Sequence, residues 1–119
     1  MRPTILTVFS GLYLLFGGAF VGWTLAGEPP LPAWAMLTIA GVAWGIALGI
    51  VARVRAARWL AVVAHAFATG AATVFAILHA LGRVDGSDYA SLAGKFIVHA
   101  AMLWFWLRAR SVRAWFARD

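Results

Sequence analysis

Four apolar runs, each about as long as a bilayer core is thick, leave this chain few folds to choose from. A helical span needs about 20 apolar residues at 1.5 Å rise each. Stretches over about 4–26, 33–52, 59–81 and 89–107 meet that length. Gly27-Glu28-Pro29-Pro30-Leu31-Pro32 separates the first two, and Gly82 to Asp88 separates the last two. Both connections are turn chemistry, where helices stop. The segment Arg53 to Arg58 is different: it can stay helical, and it ends the second span by charge alone. The expected fold is an all-α membrane protein, a four-transmembrane-helix up-down bundle forming one integral domain over 1–119, with a basic tail over 108–119.

Composition agrees. The 119 residues are 64% hydrophobic and 12% charged, against about 45–50% apolar and about 25% charged in a typical soluble protein. A water-soluble fold this small has too little interior to hide that much apolar side chain. Nucleic-acid modules, extracellular disulfide scaffolds and soluble enzymes are excluded on this ground. There is no cysteine, so disulfides, thiol catalysis, zinc fingers and iron–sulfur ligation go together.

The net charge of +6 reads as membrane orientation. Lys and Arg accumulate on the cytoplasmic side of short loops. Arg2, Arg53, Arg55, Arg58, Arg108, Arg110, Arg113 and Arg118 fall on one side of a four-span arrangement, and only Arg83 and Lys95 fall on the other. That bias puts both termini on the cytoplasmic side of the plasma (inner) membrane and argues against dual insertion. Trp34, Trp59, Tyr89, Trp104, Trp106 and Trp115 lie near span ends, where amphipathic rings favour the headgroup layer. The first run exceeds the about 7–15 residues of a signal-peptide core, so it is expected to remain as a span.

The two halves resemble one another at an offset of 55 residues. Arg53 to Trp59 reads like Arg108 to Trp115, Gly27 falls on Gly82, and Trp34 on Tyr89. Tandem helical hairpins in parallel orientation are one architecture that gives such a pattern. Lipid supplies no hydrophobic drive between helices, so close packing depends on small residues. Gly11, Gly18 and Gly22 mark the first span, Gly41, Gly45 and Gly49 the second, and Ala64, Ala68, Ala72, Ala76 and Ala80 the third. Each stripe is an expected packing face, inside the bundle or toward another copy.

Ionisable side chains within spans are candidate functional groups. Here they are His65, His79, His99 and Lys95. His65 and His79 share a helix face with Thr69, Ala72 and Ala76 between them, which resembles the ligand helices of b-type cytochromes. That likeness implies haem b or another tetrapyrrole, with His99 as the opposing ligand. A hairpin turning near Asp85 sets residue 99 level with about residue 72, roughly 10 Å along the axis from either partner. The bland reading, and the one preferred, is that the imidazoles bond neighbouring carbonyls or hydroxyls and no cofactor is present. Thr38, His79, Lys95 and His99 could also line an outward-open ligand pocket, although Lys95 reads more simply as snorkelling.

Catalysis finds no footing: no carboxylate lies within a span, and Glu28, Asp85 and Asp88 read as solvated turn residues beside Pro and Gly. The lipid bilayer, other membrane subunits or a second copy are the expected partners, with anionic lipid at the Arg clusters a further one.

By length the chain is similar to the small multidrug resistance exporters, but it lacks the carboxylate that family carries in its first span. The small fluoride channels are a second comparison, and neither their polar pore residues nor their topology is found. In layout it resembles uncharacterised small four-helix bacterial membrane proteins, through Gly11-Leu12-Tyr13-Leu14-Leu15-Phe16-Gly17, Arg58-Trp59 and the tail Val112-Arg113-Ala114-Trp115-Phe116. The Pro frequent in that tail is absent here. No function is attached to those proteins, so the resemblance carries over no catalytic or binding residue. The expectation is a non-enzymatic accessory or scaffold subunit acting by helix packing.

Overall fold

A computed structural model of the chain describes residues 2–27, 29–84 and 88–117. Glu28, Asp85, Ser87 and Arg118 lie outside the described residues. The fold is all-helical: α1 Thr4–Leu25, α2 Ala33–Val51, α3 Arg55–Ala80, α4 Tyr89–Arg108 and α5 Arg110–Ala117. The first four are long and apolar enough to cross a membrane. The chain forms two compact units, one of residues 1–60 with 110–119 and one of residues 61–109.

Prolines start the first two helices. Pro3 and Pro32 occupy the cap positions, and their carbonyls accept the first-turn amides of Leu6 and Thr7 and of Ala35 and Met36. A proline there forfeits nothing, because its missing N–H would have no intrahelical partner. The ends are closed by left-handed residues. Gly27 after α1 has φ +86° and Gly82 after α3 has φ +66°. At Gly82 the closure is a Schellman motif: its N–H bonds His79 O at 3.0 Å and that of Arg83 bonds Leu78 O at 2.9 Å.

The α2–α3 connection departs from the sequence expectation. The basic segment does not continue the helix. It breaks at Ala52–Val54, where Arg53 takes the left-handed position at φ +57°. The same pair of bonds closes it, Arg53 N–H to Ile50 O at 3.4 Å and Val54 N–H to Gly49 O at 2.9 Å. A non-glycine residue there costs about 1–2 kcal/mol, so its side chain must be held.

It is held by α5. The expected basic tail contains an amphipathic helix, set off from α4 by Ala109 at φ −60°, ψ 127°. Val112, Trp115 and Phe116 are buried, at the i, i+3, i+4 spacing of one helix face. The Trp115 indole donates to Ile50 O at 2.9 Å, bonding a carbonyl at the end of α2. The Arg53 guanidinium lies 3.9 Å from the Trp115 ring centroid, a cation–π contact. Arg55 donates to Phe116 O at 3.2 Å and Ala117 O at 3.3 Å, capping α5 where the helix dipole favours a cation.

Within the same unit α1 and α2 pack antiparallel. Ser10 Oγ donates to Ala47 O at 3.2 Å, and the Trp44 indole to Leu14 O at 3.1 Å. Lower on α2 the partner is Gly17, where an added Cβ would enter the Trp44 ring and lie 3.1 Å from Ala40 O. The predicted stripe on α1 is therefore not its seam with α2. Gly11, Gly18 and Gly22 would each meet nothing within 4 Å, and neither would Gly41. Gly45 lies near Leu60, and Gly49 packs directly on Ala57.

Trp34, Trp59, Tyr89 and Trp104 are exposed, as residues of a headgroup layer would be, whereas Trp106 and Trp115 are buried. The 55-residue offset recurs in the elements: α3 starts at Arg55 and α5 at Arg110, and Gly27 and Gly82 share the left-handed conformation.

Gly17→Ala is expected to destabilise the folded chain by about 1–3 kcal/mol, whereas Gly18→Ala leaves stability unchanged or slightly raised; reversible unfolding in mixed micelles separates them. Trp115→Ala should release α5, read as faster hydrogen exchange at the amides of Val112 to Phe116.

Candidate functional site

The second unit holds all three histidines. In α3, Thr69 Oγ1 bonds back to His65 O at 2.7 Å and Thr73 Oγ1 to Thr69 O at 3.0 Å. The threonines thus satisfy themselves on their own helix and leave the imidazoles to find partners elsewhere. α4 is preceded by Asp88, whose carboxylate accepts from Ala90 N–H at 3.0 Å. Asp88 is therefore a helix cap, a more specific role than a solvated turn residue.

His65 and His99 meet across the hairpin. Their Nδ1 atoms are 2.9 Å apart, with ring centroids at 5.2 Å and planes tilted by 39°. His65 is buried and His99 half-buried. The hydrogen bond requires one Nδ1 to carry a proton and the other to accept it, so the accepting ring holds its proton on Nε2. Two polar rings thus bond each other across the hairpin.

The expected register is corrected here. His99 meets His65, where the expected register set residue 99 level with about residue 72. Nearer the turn His79 meets Tyr89, close to the expected register, so the difference is present only farther along the two helices.

His79 is placed apart from His99. Its Nδ1 donates to Val84 O at 3.3 Å, and its ring meets Tyr89 edge-on at 4.6 Å. Of the two α3 histidines, the one that meets His99 is His65. A metal held in line between two imidazoles at about 2.0–2.1 Å from each needs the nitrogens about 4 Å apart. The His65–His99 separation is that of a hydrogen bond. Among the described residues no group of three or more His, Cys, Asp or Glu could hold a metal ion.

Between these two contacts the helices part. An open, apolar groove of about 430 Å³ is lined by Ala72, Thr73 and Ala76 of α3 and by residues of α4 including Tyr89, Leu92 and Phe96. Ala72 is buried, and with Ala76 it forms part of the α3 wall of the groove. Ala68, one turn before Ala72, is half-buried. Lys95 and Ser91 are exposed. Thr38, in the other unit, donates to Trp34 O at 2.7 Å on its own helix.

No protein-family profile, curated protein or solved structure matches the chain.

Replacing His65 and His99 by Leu, singly and together, should give a coupling energy of about 0.6 kcal/mol, with a ceiling near 1.7. Reversible unfolding of the four proteins measures it, and additive effects would remove the pair as an interaction.

Proposed function

We propose that the chain is a non-enzymatic integral membrane protein that works by helix packing, as an accessory subunit of a membrane complex or of a homo-oligomer. The observation that carries this reading is the open stripe on α1. Gly11, Gly18 and Gly22 would meet nothing within 4 Å if given a side chain, while the contact to α2 is made by Ser10 and Gly17. Gly18 and Gly22 stand four apart, the spacing that lets two membrane helices approach backbone to backbone. Among the described residues of α4 only Trp106 is buried, which leaves further helix surface for a neighbour. The absence of carboxylates from the spans supports a packing role over proton-coupled transport or hydrolysis. The arginine bias supports an arrangement with both termini on the cytoplasmic side of the plasma membrane.

The test is the assembly state in detergent and in nanodiscs, for the native chain and for Gly18→Leu/Gly22→Leu. The native chain should run as an oligomer or with a stoichiometric membrane partner. The variant should keep its helicity and weaken association at least about tenfold, or about 1.4 kcal/mol. A native chain that is monomeric and without partners sinks the proposal.

A further inference from the structure

A hydrogen bond between two imidazoles responds to protons in a way that a bond to a carbonyl does not. With both rings neutral, the His65–His99 pair holds two ring protons. One lies on the Nδ1–H···Nδ1 line of 2.9 Å, and the other is on Nε2 of the accepting ring. A first added proton goes to the unprotonated Nε2 of the donating ring. The bond survives as imidazolium to imidazole, now charge-assisted and stronger. A second added proton has one nitrogen left to take it, the accepting Nδ1, and that lone pair is what makes the bond. We propose that the pair is a proton-operated clasp, which holds α3 to α4 with no or one added proton and releases them with two.

No group on the helices would hold the doubly charged pair together. None of the five helices contains a carboxylate. Asp88, at the cap of α4, stands eleven residues before His99, about 16 Å along the axis. On α3 no other charged side chain lies between Arg58 and His79. On α4 the charged neighbour is Lys95, about one turn from His99 and exposed, a further cation and not a counter-ion. α1 and α2 carry no acidic, basic or histidine side chain, and α5 adds only arginines. Two imidazolium rings at this separation therefore repel without compensation.

Release has a direction, because the contact nearer the turn is built differently. His79 Nδ1 donates to Val84 O at 3.3 Å, and its ring meets Tyr89 edge-on. A carbonyl accepts from a neutral imidazole and from a charged one alike, and an aromatic ring tolerates a cation. That contact persists through both steps. The groove lies between the two contacts, with Ala72 and Ala76 on its α3 wall and Phe96, three residues before His99, on its α4 wall. The turn end stays tied while the far end parts, so the groove widens from the His65–His99 side.

The experiment uses the full chain in phosphatidylcholine nanodiscs, taken from about pH 8 to about pH 4, across the ordinary histidine range. With isotope-labelled imidazole nitrogens, the scalar coupling across the Nδ1–H···Nδ1 bond should be present at the neutral end, persist as the first proton is taken up, and be lost with the second. Spin labels at Phe67→Cys and Val98→Cys, both exposed in a chain without cysteine of its own, should report a longer distance once the coupling is lost. His65→Gln and His99→Gln each keep a hydrogen-bonding group that takes no proton. In either variant the label distance should not change with pH, and one serves if the other fails to fold. His79→Gln and Lys95→Gln should leave the native release in place. A coupling that survives to the acid end, or one lost with the first proton, overturns the proposal. So does a release that persists in the His65 and His99 variants, or one that His79→Gln or Lys95→Gln abolishes.

Discussion

A helix that crosses a bilayer must bond its last carbonyls before the chain turns, because hydrocarbon offers them no water. In this protein that requirement organises what lies beyond the spans. Three helix ends close on residues with left-handed backbone, two of them glycines and the third Arg53. At the glycines the closure is cheap. At Arg53 it is not, and the compensating contacts come from a helix about 60 residues later in the chain. The carbonyl of Ile50 at the end of α2 accepts both the Arg53 amide and the Trp115 indole. One exposed turn thus recruits α5, and with it the convergence of arginines at that end.

The spans were legible in the sequence to within a residue or so at most ends, because an apolar run of fixed minimum length has one explanation. The start of α3 was not: it begins at Arg55, four residues before the apolar run does, because alanine and arginine are good helix formers although they are not part of an apolar run. α5 was readable in principle. Val112, Trp115 and Phe116 stand at helical spacing, but four arginines in the same segment gave a sufficient reason, membrane orientation, to look no further.

The candidate site was legible as a set of residues and not as a geometry. The three histidines stood out because ionisable groups are costly in spans. Their pairing was not legible, because His79 meets Tyr89 near the expected register while His65 meets His99 away from it, and spacing along one helix does not say how two helices run past each other. The glycines show the same limit. Gly17 and Gly18 are adjacent and chemically identical, yet one is filled by Trp44 and the other is open. Only the direction from which α2 approaches tells them apart, and spacing along one helix does not contain it.

The contact between Arg53 and Trp115 has a thermodynamic reciprocal. If α5 helps hold the turn in a strained conformation, then the turn helps hold α5, by the same free energy. Lifting α5 from its seat would let Arg53 relax out of the left-handed region and lengthen the link between α2 and α3. The peripheral helix and the α2–α3 turn therefore respond as one cooperative element, although nearly half of the chain lies between them in sequence.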